Sequence, residues 1–243
     1  MQIVIPMSGE GSRFKQAGHS TPKPFIPVNG KSMIHRVVDN LQQFDAEFIF
    51  LAREDQLTPE RKCRLSNTGT LINVDVLTEG AACTVLLARD LINTTEPLLI
   101  VNSDQLLSYN HYDFTLLNQT LPGSSFIWVF QAFDPKWSFV NIGPAGNITE
   151  VAEKNPISNV ATCGWYYWDR GCDFVSAAER MIAANDRVNN EFYVAPVYNH
   201  HISSGGKVYP IHAHRMVGLG TPEDLKAYEA EIKAATEKSP EQE

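Results

Sequence analysis

The sequence predicts an α/β fold: an open, mostly parallel twisted sheet with helices on both faces and an added β-hairpin in its second half. Three observations predict it. Apolar runs of strand length alternate with helically spaced stretches through the first half, and a β-α-β-α order of this kind forms a parallel sheet covered by helices. Four further strand-like runs follow, two of them joined by the turn Pro144-Ala145-Gly146-Asn147. The chain has 243 residues, 43% of them hydrophobic, 20% charged and 10% aromatic, which is an ordinary globular composition. A chain of this size buries about 70–75% of the surface it exposes when unfolded, so it needs no staples. No repeat or linker interrupts residues 1–235. They are read as one domain, with a first half at about 1–125, a second at about 126–235, and a frayed polar tail at 236–243.

Residues 2–6 read as a short buried strand, followed by a Gly-, Ser- and Pro-rich loop up to Lys31. Residues 33–44 have helical spacing, with Met33, Val37, Val38, Leu41 and Phe44 on one stripe. Residues 47–52 form a second strand, 57–66 a polar helix, and 73–77 a third strand. Gly80 then opens a helix through Leu91, and a fourth strand at 98–101 enters Asn102-Ser103-Asp104. In the second half, strands are expected at 126–131, 139–142, 148–153 and 162–167. Helices are expected at 174–184, 193–202 and 222–235. The last starts well, with Thr221 as N-cap, Pro222 at the first position and Glu223 and Asp224 in the first turn.

Several function classes are excluded on bulk properties. No apolar run approaches the roughly 18–20 residues needed to span a bilayer, and Met1-Gln2-Ile3-Val4-Ile5-Pro6 lacks the basic flank and cleavage site of a signal peptide. Cys63, Cys83, Cys163 and Cys172 show neither zinc nor disulfide spacing, so a cytoplasmic protein is expected. The net charge of −8 argues against nucleic acid as a partner. It also means that a site for a phosphorylated ligand must gather a few cations locally, which makes each Lys and Arg beside a glycine loop informative.

Gly9-Glu10-Gly11-Ser12-Arg13 follows the first strand directly. Glycines there let the backbone turn and bring its N–H groups close to phosphate oxygens, and the Arg adds a planar cation for them. Phe14 stands where a dinucleotide fingerprint needs its third glycine, and the loop is not a Walker A loop. Taken alone, the segment reads equally as a structural turn. Thr21-Pro22-Lys23-Pro24-Phe25-Ile26-Pro27-Val28 then holds one Lys between two prolines, ten residues beyond Arg13, on a stiff segment. The alternative is a rigid surface loop with a solvated Lys.

Together with Gly30-Lys31-Ser32-Met33-Ile34, these segments resemble the signature of the sugar-1-phosphate nucleotidyltransferases, G-x-G-x-R followed by P-K-P and a G-K-x-M-I helix start. The resemblance continues over roughly 225 residues. Asn102-Ser103-Asp104 is similar to the segment that carries the metal-binding aspartate, and Glu153-Lys154 to the pair that holds the acceptor's polar groups and phosphate. Gly164-Trp165-Tyr166-Tyr167 resembles the strand that follows, and Gly220-Thr221-Pro222-Glu223-Asp224 the closing helix start. The resemblance implies a Rossmann-like, nucleotide-diphospho-sugar transferase-like fold with a nucleotide-binding first half and an acceptor lobe. It implies Mg²⁺ as cofactor, a nucleoside triphosphate and a phosphorylated small molecule as partners, and a possible homo-oligomer, although the sequence carries no exposed apolar stripe to serve as an interface.

Carried over residue by residue, the resemblance makes Arg13 and Lys23 catalytic. It assigns the nucleotide to Met7, Ser8, Gly9, Gly11, Ser12, Gly80, Ala81 and Ser103, with Glu79 added from its own chemistry, and the acceptor to Trp137, Glu153, Lys154, Gly164, Asn190 and Tyr193. The chemistry agrees with the residue types. Attack at an α-phosphorus is chiefly a matter of positioning and charge stabilisation. A phosphate monoester has a second pKa of about 6 and is largely dianionic at neutral pH, so no deprotonating base is required and none is evident. Arg13 is expected at the leaving pyrophosphate, Lys23 at the α-phosphate and Lys154 at the acceptor phosphate, with Mg²⁺ on Asp104. Alternatives stay open: Asp104 as a helix cap and Lys154 as a solvated hairpin end.

The sequence departs from the family in two places. Many members carry an Asp two residues before Gly-Thr-Pro, where this chain has Gly218, and Glu191 is the candidate to replace that metal ligand. Equally, Asn190 or Glu191 caps the helix that follows. The base pocket lacks the usual Gln, and in Val76-Leu77-Thr78-Glu79-Gly80 the Glu79 carboxylate, which only accepts hydrogen bonds, suits the exocyclic amine of cytosine. CTP is therefore favoured. Lys136-Trp137-Ser138, Ile157-Ser158-Asn159-Val160-Ala161-Thr162 and Asn189-Asn190-Glu191-Phe192-Tyr193 resemble the CTP:phosphoglutamine cytidylyltransferases of capsule polysaccharide synthesis, which implies that the acceptor need not be a sugar. Trp137, Trp165 and Tyr193 would then shape its pocket, or belong to the core. His200-His201 fits no metal spacing and is expected on a helix surface. A glycosyltransferase would more often show D-x-D, which Asn102-Ser103-Asp104 lacks, and Gly218 keeps a non-catalytic nucleotide binder in view.

Overall fold

The structure, a computed structural model, describes residues 1–237. It opens on β1 (Gln2–Pro6), whose Ile3, Val4 and Ile5 are fully buried. Next come α1 (Ser12–Gln16), a small hairpin of β2 (Pro27–Val28) and β3 (Lys31–Ser32), and α2 (Met33–Asn40). β4 (Glu47–Arg53), α3 (Pro59–Ser66) and β5 (Thr70–Val74) follow, then α4 (Ala81–Leu86), α5 (Arg89–Ile92) and β6 (Leu98–Val101). β7 (Gln105–Ser108) and α6 (His111–Thr120) lead to β8 (Ser124–Gln131), β9 (Ser138–Ile142), β10 (Ile148–Glu153) and β11 (Val160–Trp168). α7 (Gly171–Ala183), α8 (Val197–Ile202), β12 (Lys207–His212), β13 (Arg215–Gly218) and α9 (Pro222–Glu237) complete the chain.

One nine-stranded sheet spans both halves. β6, β1, β4 and β5 lie side by side in parallel. β11 then enters antiparallel between β6 and β8, and β12 runs parallel to β8 at the far edge. β9 and β10 form the expected hairpin and attach to the first part of β11 through Ala161 and Phe139. β7 pairs with β13 in a separate two-stranded ribbon.

Alternation along the strands sorts the core into two faces. Val4, Ile49, Leu51, Leu98 and Ile100 meet α4, α5, α7 and α8 on one side, with Trp168, Phe174 and Tyr198 among the buried rings. Ile3, Ile5, Phe50, Leu99 and Val101 meet α2, α3 and α6 on the other, around Phe44, Phe114, Trp128 and Trp165. A third cluster of Phe14, Ile26, Val28, Met33, Leu219 and Leu225 ties the glycine loop to the start of α9. Caps stop and start the helices as their chemistry requires. Thr58 accepts from Arg61 N–H at 3.3 Å ahead of Pro59, and Asn110 accepts from Tyr112 N–H at 3.1 Å. Among the described residues, no helix is long and apolar enough to cross a membrane.

The differences from expectation have local causes. The strand expected at 73–77 forms at Thr70–Val74, because β4 pairs with it in the register Ile49 to Thr70, which leaves Val76 and Leu77 exposed. The helix expected to run from Gly80 to Leu91 breaks in two, its bonds tightening to three-residue spacing at Leu87 and Ala88. The helix expected at 193–202 starts only after Pro196, since a proline biases the residue before it away from helical backbone. The first two residues of the tail expected at 236–243 continue α9, and the rest lie outside the described residues.

β10 is an edge strand, and its free backbone groups at Val151 are taken by one side chain. Val151 N–H donates to Asn199 Oδ1 at 2.8 Å, and Asn199 Nδ2 donates to Val151 O at 2.7 Å. Asn199→Ala leaves both groups unpaired and is expected to cost about 2 kcal/mol of unfolding free energy. A urea titration would read this as a lower midpoint at unchanged slope.

Candidate active site

A cavity of about 250 Å³ opens where the carboxyl end of β6 meets the glycine loop, the β9–β10 hairpin and the start of α9. Ligands of open α/β sheets bind at this end of the strands. The glycine loop reaches it by a left-handed turn: Gly11 has φ 62°, and a Cβ there would lie 3.0 Å from the Lys23 Cβ. Gly9 by contrast meets nothing within 4 Å and leaves its backbone open. Arg13, on α1, and Lys23, in a single 3₁₀ turn between its prolines, both line the cavity.

Lys23 Nζ donates to Asp104 Oδ2 at 2.7 Å. The two side chains are 24% and 17% exposed, so the pair is shielded enough to be worth more than a surface ion pair. Asp104 sits where a side chain of residue 220 would be, since a Cβ on Gly220 would lie 2.9 Å from Asp104 Oδ2. Gly218 plays a similar part. A Cβ there would come within 3.2 Å of Trp137 and 3.9 Å of Asp224 Oδ2, and Asp224 also lines the cavity. Lys136 Nζ pairs with Asp224 at 3.4 Å and lies 4.9 Å from the Trp137 ring centre. One or two carboxylates completed by substrate phosphates suit Mg²⁺, which dehydrates reluctantly and needs no all-protein cage. Asp104 and Asp224 fit that requirement. Among the described residues no group of three or more His, Cys, Asp or Glu is arranged to hold a metal.

The opposite wall is hydrogen-bonding. Gly164 has φ 73° in the irregular part of β11, and a Cβ on it would overlap Gln105 Oε1 at 1.6 Å. Its carbonyl accepts from Asn102 N–H at 2.9 Å, and Asn102 Nδ2 donates to Gln105 Oε1 at 3.2 Å. Ser138 Oγ donates to Glu153, and the Thr162 and Tyr166 hydroxyls bond at 3.0 Å. Burial pushes the Glu153 carboxyl above the usual carboxylate range, against the lowering effects of Ser138 and Lys154. Lys154, itself at φ 53°, donates to the Tyr193 hydroxyl and lies 4.5 Å from that ring's centre.

Of the residues expected from sequence, Arg13, Lys23, Ala81, Asp104, Trp137, Glu153, Lys154, Gly164 and Tyr193 line one cavity. Others stand behind it. Met7, Ser8 and Ser103 are buried, with Ser8 Oγ 3.2 Å from Thr84 Oγ1, while Ser12 is exposed on α1. Gly80 is pinned at φ 136° against the Phe192 backbone. Glu79 is exposed, and its carboxylate meets Arg187 at 2.5 Å. Asn189 and Asn190, both left-handed, form a two-residue turn that Val188 and Glu191 close by exchanging backbone bonds. This places Glu191 in an exposed turn, outside the residues that line the cavity. Asp224 supplies the cavity's second aspartate. It was read in the sequence as a helix-start acid, and Thr221 Oγ1 does accept from its N–H at 3.1 Å. Trp165, considered for the acceptor pocket, is fully buried in the core. Asn102, Gln105, Lys136, Ser138, Thr162 and Tyr166 joined the cavity without a sequence signal of their own beyond their neighbours' motifs.

Residues 3–202 match the family model described as nucleotidyl transferase. Among curated proteins, the bifunctional protein GlmU of Methanocaldococcus jannaschii is 22% identical over 179 residues, 70% of this chain and 40% of the relative. The mannose-1-phosphate guanylyltransferase catalytic subunit beta of Dictyostelium discoideum is 26% identical over 140 residues, 56% of this chain and 39% of the relative. The chain thus spans less than half the length of these relatives. Among solved structures, a nucleoside-diphosphate-sugar pyrophosphorylase from Vibrio cholerae superposes with a TM-score of 0.80 over 94% of this chain and all of the other, at 23% identity. That likeness establishes the fold, including the mixed, mostly parallel sheet.

Glu153 gives the site a pH signature. Its folded carboxyl keeps its proton to higher pH than an unfolded one, so the folded state binds more protons in that window and stability falls as pH rises through it. Glu153→Gln is expected to flatten that fall and to be relatively more stable than the parent above the window. Urea titrations at several pH values check this; identical slopes in both proteins would clear Glu153 of the effect.

Proposed function

The chain belongs to the nucleotidyl transferase family, and from that premise we propose that it transfers a nucleoside monophosphate from a nucleoside triphosphate to a phosphorylated small molecule, releasing pyrophosphate. One observation carries the reading: Arg13, Lys23, Lys136 and Lys154 share a cavity with Asp104, opposite a hydrogen-bonding wall that includes Glu153. Four cations with no adjacent nucleophile–base pair suit a reaction that needs charge stabilisation more than proton transfer.

In this reading an oxygen of the acceptor phosphate forms a bond to the α-phosphorus as the bond to the bridging oxygen breaks, and pyrophosphate leaves with the electron pair. Lys23, presented from its proline-fixed turn, meets charge developing at the α-phosphate, and Arg13 meets the leaving pyrophosphate. Lys154, steered by Tyr193, holds the acceptor phosphate. Asp104 and Asp224 would hold a Mg²⁺, which when bound neutralises triphosphate charge. Glu153 can only accept hydrogen bonds when ionised, so the acceptor's body should offer hydroxyl or amide hydrogens to it. Sugar phosphates do so, in line with relatives named for mannose 1-phosphate, and phosphoglutamine would offer amide hydrogens. The preference for CTP rested on a free Glu79 carboxylate. Arg187 engages that carboxylate, so uridine, thymidine and guanosine triphosphates are equal candidates as donor.

Pyrophosphate release with each common nucleoside triphosphate, Mg²⁺ and a panel of hexose 1-phosphates, phosphocholine and phosphoglutamine tests the proposal. Saturable release with one donor–acceptor pair is expected, and nucleotide binding without release on any pair would overturn the catalytic reading. Lys23→Ala should lower kcat about a hundredfold or more with the fold intact by circular dichroism. Asp104→Asn and Asp224→Asn should each raise the Mg²⁺ concentration for half-maximal rate by about tenfold, on the scale of a lost charge-assisted contact. An unchanged requirement in either variant removes that residue from the metal site.

A further inference from the structure

A second cavity, of about 390 Å³, lies at the other end of the sheet. β6 and β8 run in the same direction, both antiparallel to β11, so the amino ends of β8 and β12 lie opposite the catalytic cavity. The walls come from Gly123 before β8, from α7, from the end of α8 and from Lys207, the first residue of β12. Three permanent cations face it, Arg170, Arg180 and Lys207, against one acid, Asp173. In a chain of net charge −8 this is a local excess of the opposite sign.

The acid is already neutralised. Arg170 grips Asp173 with two bonds, at 3.0 and 2.8 Å. Arg180 is held in place by bonds to Ser176 Oγ at 2.7 Å and to the His200 carbonyl at 3.0 Å, which leave its Nε–H without a partner among the described residues. Lys207 is exposed and makes no ion pair or side-chain hydrogen bond among the described residues. Ser204 and Ser176 add hydroxyls to the wall. His201 lines it as well, packed edge-on to Trp168 at 5.2 Å and against Gly206, with its imidazole held below its usual pKa chiefly by burial. Its neighbour His200 is engaged elsewhere, with Asp186 at 3.0 Å.

We propose that this cavity binds a phosphate monoester, with Lys207 and Arg180 on the phosphoryl oxygens and the hydroxyl-lined remainder holding a polar organic body. Two uncompensated cations match a dianion. The volume exceeds that of phosphate alone and lies in the range of small-molecule sites.

The test uses the full chain and follows the His201 ring nitrogens by NMR, assigned by their loss in His201→Gln. Glycerol 3-phosphate and glucose 6-phosphate are expected to shift them saturably, at lower concentration than inorganic phosphate. Lys207→Glu should weaken the response about tenfold or more. Lys154→Ala, which alters the catalytic cavity, should leave the midpoint unchanged. The proposal is overturned if no probe gives a saturable shift, if Lys207→Glu responds like the parent, or if the shift disappears with Lys154. Equal midpoints for inorganic phosphate and the monoesters would overturn the assignment to a monoester.

Discussion

The structure depends on one strand being admitted between two others. β11 runs antiparallel between β6 of the first half and β8 of the second, and its course is irregular between Thr162 and Tyr166. Gly164 sits in that irregularity at φ 73°, with Gln105 and Asn102 filling the space a side chain would need. The Gly164 carbonyl receives Asn102 N–H, so the end of β6 is bonded directly to β11, the strand that carries the opposite wall of the cavity. Any residue but glycine would meet both a strained backbone and a clash under 2 Å. The cavity exists because the two halves can approach this closely.

Charge is arranged within that frame by pairing. In a chain of net charge −8, two of the three acids that line the cavity are matched to a lysine, Asp104 to Lys23 and Asp224 to Lys136, while Glu153 accepts from Ser138. Without such partners the acids would repel any anionic ligand, and half-buried charges would be costly to maintain. Paired, they keep the cations in place before the ligand arrives, so little reorganisation is needed when it does. Arg13 and Lys154 are left to face the opening, Arg13 without an ion pair among the described residues and Lys154 steered only by a phenol.

Much of this was legible in the sequence, and the reason differs from part to part. Parallel strands buried on both faces are short continuous apolar runs, so β1, β4 and β6 could be read to within a residue or two. Gly11 and Lys23 could be read because their local constraints, a left-handed turn and two prolines, are written in neighbouring residues. The register of β5 could not, because it is set by pairing with β4, while Val76 and Leu77 imitate strand residues in an exposed loop. β7, β12 and β13 escaped notice for the same reason: each is defined by a partner distant in the chain. The exposed Glu79 shows the limit most plainly. Its partner Arg187 lies 108 positions on, and nothing in the neighbouring residues of either one announces the contact.

The same limit explains why a glycine at position 218 need not mean a lost function. A carboxylate is useful where its oxygens lie, whichever backbone position carries it. Gly218 and Gly220 flank the point where β13 passes into α9, and the space their missing side chains leave is approached by Asp224 on one and taken by Asp104 on the other. A side chain at 218 would crowd Trp137, whose ring comes within 3.2 Å of that position, packs against Phe130 and would have to give by a few tenths of an ångström. Asp224 avoids this conflict. It enters from the first turn of α9, where the capping bond from its own N–H to Thr221 fixes its backbone and the third apolar cluster fixes the helix. Glycine at 218 therefore leaves room for Trp137 in the cavity wall, while the acid comes from the helix that follows.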